Sequence, residues 1–157
     1  MINSRDVTER KQAERILRES EERYRAVVEK AAESIFLVDI ETKGIVQTNA
    51  AFQNLLGYSS EEIAGLMLYD IVVHDRKSID DYIHLTLEQR SCFIGERRHR
   101  RKDGSLLHVE VNAGVIAYGG KEFLCVVAHD ITERKRAEEK HQRSLDRLCA
   151  LTRLARF

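Results

Sequence analysis

The sequence predicts an α+β domain, five strands with short helices among them, carried between two long charged helices. Three observations predict it. The pairs Asp103-Gly104 and Gly119-Gly120 separate segments of alternating polarity, the mark of antiparallel hairpins. Apolar residues at heptad spacing run through both ends of the chain among charges of both signs. A phrase near the end, Asp130-Ile131-Thr132-Glu133-Arg134-Lys135-Arg136-Ala137-Glu138, also has a near copy near the beginning, Asp6-Val7-Thr8-Glu9-Arg10-Lys11-Gln12-Ala13-Glu14, identical at seven of nine positions and offset by 124 residues. That offset is the length of a domain rather than of a solenoid repeat, so the chain reads as running from the end of one module through the end of the next. Asp followed three residues later by Glu and then by an Ala- and charge-rich run marks a capped helix start, so each copy is expected where a globular domain hands its chain to a helix.

Composition narrows the function classes. With 157 residues, 43% hydrophobic and 33% charged, the chain can bury a core and must carry its surplus charge on solvated helix faces. Formal net charge is zero, with eight charges of each sign over 1–33, ten basic against fourteen acidic over 34–132, and eight against four over 133–157. A nucleic-acid binder would carry a stronger basic bias on its folded part. Cys92, Cys125 and Cys149 lack CxxC spacing, so neither a zinc site nor a disulfide framework is indicated, which suits a reducing cytoplasm. No run of eighteen apolar residues and no signal-peptide core is present, so direct membrane contact is not expected.

Over 8–33, Ala13, Leu17, Ser20, Tyr24, Val27 and Ala31 recur at spacings of four and three. This seam predicts a long helix pairing with a partner copy. Its last two turns, 24–32, are equally well read as an amphipathic stretch lying across the chain's own sheet. Residues 34–39 and 45–48 read as a hairpin. Asn49 is placed to cap a short helix over 50–56 that Gly57 stops, Ser59 or Ser60 with Glu61 and Glu62 starts another that ends at Gly65, and brief helical turns follow at 68–72. Asp75 opens a longer helix to about Gln89 with Ile79, Tyr82, Ile83 and Thr86 on one face. Strands follow over 93–101, 105–118 and 122–129. In 107–111, Leu107, Val109 and Val111 alternate with His108 and Glu110, so one face of this sheet is expected to be solvated.

These elements carry Asn49-Ala50-Ala51-Phe52 with Leu56-Gly57-Tyr58-Ser59, then Glu61-Glu62-Ile63-Ala64-Gly65, then Arg101-Lys102-Asp103-Gly104-Ser105, then Asp130-Ile131-Thr132-Glu133-Arg134-Lys135. In that order the motifs resemble the PAS sensory-domain family over 34–132. The resemblance implies a five-stranded antiparallel sheet with helices cupped over one face, often dimeric, serving as an input module of histidine kinases, diguanylate cyclases and similar receptors. Residues 1–33 and 133–157 would then be the dimerisation and signalling helices on either side.

His129-Asp130 looks like a phosphoacceptor pair, but it falls at a strand end without a downstream Asn-Pro, so the structural reading is preferred. The run Arg97-Arg98-His99-Arg100-Arg101-Lys102 is dense enough for phosphate. Alternation along a strand halves the patch, however, and a solvated edge strand guarded against aggregation is the better account. Oxygen-sensing relatives carry an axial histidine on the long helix, where Ile79 stands here and His84 comes more than a turn later. Flavin-adduct relatives carry Asn-Cys where this chain has Leu66-Met67-Leu68-Tyr69. Cys125, alternating with Val127, reads as a core thiol. No metal site, P-loop, GxGxxG or nucleophile triad occurs, so no catalytic residue is assigned and no cofactor is expected, with an unknown small ligand left open.

A hydrophobic space is expected between sheet and helices. Phe36 and Val38 would line it from the first strand, Phe52, Leu55 and Leu56 from the first short helix, Ile71, Tyr82 and Ile83 from the later helices, and Val109, Val111, Leu124 and Val126 from the last two strands. Because no convergent polar set is visible there, a filled core is preferred over a pocket. Asp130 and Thr132 are expected to hold the start of the exit helix and so to transfer any signal. The reading is a cytoplasmic sensor or relay module of a multidomain receptor, homodimeric through its flanking helices and adjoining other domains of its own chain. A haem or flavin detector and a passive dimerisation spacer stand beside it as alternatives.

Overall fold

The computed structural model describes residues 4–154, with the side chains of residues 4, 5, 24 and 154 outside the described set. The chain runs α1 (Ser4–Lys30), β1 (Ser34–Asp39), β2 (Ile45–Thr48), α2 (Ala50–Leu56), α3 (Ser60–Ile63), α4 (Leu68–Ile71), α5 (Arg76–Gln89), β3 (Ser91–Arg100), β4 (Leu106–Tyr118), β5 (Lys121–Asp130) and α6 (Thr132–Leu154). The strands form one antiparallel sheet in the order β2-β1-β5-β4-β3. Consecutive hairpins build β3-β4-β5, and β1 closes onto β5, so the strand that follows α1 lies beside the strand that leads into α6, with β2 at the edge.

The core lies between the sheet and α2–α5. Phe36, Val38, Val109, Val111, Leu124 and Val126 project from the strands to meet Phe52, Leu56, Ile71, Ile79 and Ile83. Asn49 organises one side of it. Fully buried, it caps α2 by accepting from Phe52 N (3.0 Å), also accepts from Ile35 N (3.0 Å), and donates to Val28 O and Glu33 O (2.9 Å each). One amide side chain thus satisfies backbone groups of α1, β1 and α2. Gly57 ends α2 at φ 81°, and Lys102 N and Arg101 Nε donate to the last carbonyls of that helix (2.9 and 3.1 Å), pinning the β3–β4 turn to it.

Strand β3 contains a β-bulge between Phe93 and Gly95, with Gly95 at φ 92°. Before it, even-numbered Cys92 faces the helices; after it, odd-numbered Arg97 and His99 do, paired with Val109 and Leu107. The extra residue exchanges the faces of the second half of the strand.

The structure corrects three expectations. Helix α1 begins at Ser4, so Asp6-Val7-Thr8 lies within it rather than ahead of it. It also ends at Lys30, short of residue 33. Cys125 is half-buried on the face opposite Leu124 and Val126, because alternation along β5 separates them, and it is not a core thiol.

Candidate functional site

A cavity of about 60 Å³ lies between α5 and strands β3, β4 and β5. Helical periodicity puts Ile79, Tyr82, Ile83 and Thr86 of α5 on its wall, and strand alternation brings Val111, Ala113, Leu124 and Val126 to face them. Thr86 spends its hydroxyl proton on Tyr82 O (2.7 Å). The remaining wall is β3, and here the bulge matters. Arg98 and Arg100 are exposed, whereas Arg97 and His99 turn inward.

His99 is 1% exposed and stands edge-on to Phe36 with ring centroids 6.1 Å apart. Burial lowers its pKa to about 4, so the imidazole is neutral near pH 7. Its ring nitrogens have no hydrogen-bond partner among the described residues, and Arg97 has no carboxylate partner there. The Arg97 guanidinium sits over the Tyr82 ring, 4.7 Å from the centroid, and donates only to the neighbouring Glu96 O (2.7 Å). The basic run therefore does place polar groups inside the fold, against the expectation of a polar-free interior.

Of the residues expected to line a space, Tyr82, Ile83, Val111, Leu124 and Val126 border the cavity. Phe36, Val38, Phe52, Leu56, Ile71 and Val109 belong to the packed core, with Leu55 at its margin. On that side the Phe36 and Phe52 rings, 5.1 Å apart, fill the volume between β1 and α2. Ile79 lines the cavity, and His84 lies on the exposed side of α5.

The second arrangement is the base of α6. Asp130 Oδ1 accepts from Thr132 N (2.9 Å) and from Thr132 Oγ1 (2.5 Å), closing the strand-to-helix turn. Ile131 N donates to His108 O (3.0 Å), and the Ile131 side chain is 2% exposed. Beyond the expected Asp130 and Thr132, two basic residues grip the outer face of the sheet. Arg134 reaches Glu96 (3.0 Å) and Glu110 (3.3 Å), and Lys135 reaches Glu96 (2.5 Å). Sequence reasoning missed this clamp, although the repeated phrase contained its basic half. In the first copy Val7 holds the place of Ile131 and is 39% exposed, while Arg10 pairs along its own helix with Glu14 (3.5 Å).

On the proposed dimer seam, Ala13, Leu17, Ser20 and Val27 are exposed, Leu17 by 60% and Val27 by 71%, and Ala31 is half-buried. Tyr24's side chain lies outside the described residues. The last turns of α1 approach the outer sheet face, with Arg25, Val28 and Glu29 beside Leu37, Gln47 and Tyr118.

Residues 22–131 match the model of the PAS fold. The chain belongs to that family. PAS modules are sensory rather than catalytic. The PAS domain of an HTR-like protein from Haloarcula marismortui superposes with a TM-score of 0.62 at 25% identity, covering 77% of this chain and 99% of that one. Among curated relatives, the methyl sulfide methyltransferase-associated sensor of Methanosarcina acetivorans is 30% identical over 91% of this chain and 14% of its own length. Diguanylate cyclase DgcM of Escherichia coli O157:H7 is 37% identical over 68% of this chain and 26% of its own, and sensor histidine kinase TmoS of Ectopseudomonas mendocina 26% identical over 87% and 14%. The PAS chain thus spans 14–26% of the length of these curated relatives. Among the described residues no PAS helix is long and apolar enough to cross a membrane, and no three potential metal ligands gather.

Proposed function

We propose that this PAS module senses through the cavity beside α5 and relays the result through α6 to an output domain, within a cytoplasmic, homodimeric, multidomain receptor. One observation carries the reading: cavity and clamp share the same two strands. Adjacent residues Glu96 and Arg97 of β3, and Glu110 and Val111 of β4, point to opposite faces, one of each pair to the Arg134–Lys135 clamp and the other to the cavity. A displacement of either strand by an occupant is therefore felt at the helix base, where two arrangements need differ by only a few kcal/mol to act as a switch. The exposed apolar residues of α1 and α6, including Leu17, Val27, Leu148 and Leu151, support pairing of the flanking helices with a second copy.

In this reading the module itself carries no haem or flavin and no catalytic group, and the output is that of a histidine kinase. The 37% identity with a diguanylate cyclase favours the second reading, a cyclase output on the same relay. Filling the cavity tests the relay within one chain. Ala113→Leu should change the distance distribution between nitroxide amino acids at Asn54 and Leu148, both exposed. An unchanged distribution in a folded variant would sink the coupling.

A further inference from the structure

The cavity wall is chemically one-sided. Of its fifteen lining residues none is Asp or Glu, whereas three are basic or imidazole side chains, Arg97, His99 and His74. In a chain with 26 acidic residues among 157 that bias is a property of the site. Arg97 and His99 lie two residues apart on one strand face, hence roughly 7 Å apart at the backbone, and neither has a carboxylate partner among the described residues. Opposite them the wall is hydrocarbon: Ile79, Ile83, Leu124 and Val126.

We propose, resting on the reading of this cavity as the sensory site, that it takes a small aliphatic monocarboxylate, its carboxylate toward Arg97 and His99 and its chain against Ile83 and Leu124. A cation finds no counter-charge in this wall. A neutral alcohol or amide satisfies His99 but brings no counter-charge to the guanidinium, which among the described residues is held by Glu96 O and the Tyr82 ring alone, while a dicarboxylate would press its second charge onto hydrocarbon. A carboxylate uses both polar groups, with a charge-assisted bond from Arg97. Size sets the chain length. About 60 Å³, at roughly 10–15 Å³ for each water-sized centre, holds about four to six heavy atoms, which is acetate to butyrate. His99 is neutral in the cavity as it stands, and a carboxylate beside it would favour the imidazolium and strengthen the pair.

The test is a titration of the whole chain with sodium acetate, propionate, butyrate and hexanoate, and with butyramide as the neutral isostere, in sodium chloride of matched concentration. It is read by amide and methyl NMR shifts at Ile83, Val111 and Leu124. Saturable shifts should peak in affinity at propionate or butyrate, with butyramide at least tenfold weaker. Arg97→Gln should weaken butyrate by at least tenfold and leave butyramide unchanged, and Arg97→Lys should recover part of the loss. Equal binding of butyrate and butyramide, or insensitivity to Arg97→Gln, overturns the anion assignment. Absence of saturable shifts across the whole series overturns the ligand class. Neither result touches the relay, which the Ala113→Leu distance measurement decides separately.

Discussion

Lys135 Nζ lies 2.5 Å from Glu96 Oε2, so the first turn of the exit helix is tied to the edge strand of the sheet. The bond from Lys135, aided by Arg134, holds the Glu96 carboxyl below the usual glutamate range. A depressed carboxylate stabilises the junction above its unfolded pKa, and the contribution is lost as pH falls through the folded value. Glu96→Gln should speed amide exchange in the first two turns of α6 while leaving β4 and β5 protected, and acidification of the wild type should move it the same way. Equal exchange in both proteins would mean the pair carries no part of the junction.

Asp130 should matter locally. Its Oδ1 satisfies Thr132 N, and removing such an acceptor at a helix start costs about 1 kcal/mol. Asp130→Ala is expected to keep the fold and any dimer while broadening the distance between spin labels at Leu148 in the two exit helices. Identical distributions, together with unaltered output of the full receptor, would reduce the junction to a plain helix start.

His99 gives an acid-stability signature. Its folded pKa of about 4 lies below the ordinary 6.5, so the unfolded chain binds the extra proton between those values. Stability should therefore be highest above pH 6.5 and fall progressively down to about pH 4, by about 3 kcal/mol at 1.4 kcal/mol per unit. In His99→Leu the fall over that window should be distinctly shallower. Urea titrations at pH 7 and pH 4.5 check it, and parallel losses in the two proteins would contradict the buried neutral ring.

The helix seam predicts an association state. Leu17→Glu together with Val27→Glu, both at strongly exposed positions, should convert a dimer to a monomer in sedimentation without lowering the melting temperature of the sheet domain. A dimer that survives both substitutions is joined elsewhere.

Gly104 sits at φ 88° with nothing near the place a Cβ would occupy, so strain rather than collision decides its substitution. Gly104→Val should destabilise by about 1 kcal/mol or more, seen as a lowered melting temperature.

Much of the fold was legible because its punctuation is local. Asn49, Gly57 and Asp75 cap helices where their chemistry places them, and the Asp-Gly and Gly-Gly turns set the last three strands to within a residue or two. The site was less legible because its polar half depends on register. Read with unbroken alternation from Cys92, the second half of β3 turns Glu96, Arg98 and Arg100 inward, and only the Gly95 bulge reverses that. The clamp was hidden for another reason: Glu96 and Glu110 meet Arg134 across the sheet, a neighbourhood set by strand order that no local pattern contains.

The bulge also gives β3 one residue whose loss would not disturb its register. Deleting Ile94, which stands unpaired between Phe93 opposite Asn112 and Gly95 opposite Val111, would restore unbroken alternation and keep Arg97 and His99 toward the cavity and Glu96 toward the clamp. The damaging event is a slip of the downstream half by one partner, which would carry Arg97 and His99 out to water, turn Glu96 and Arg98 toward hydrocarbon, and so empty the cavity of its polar groups and unfasten the exit helix together.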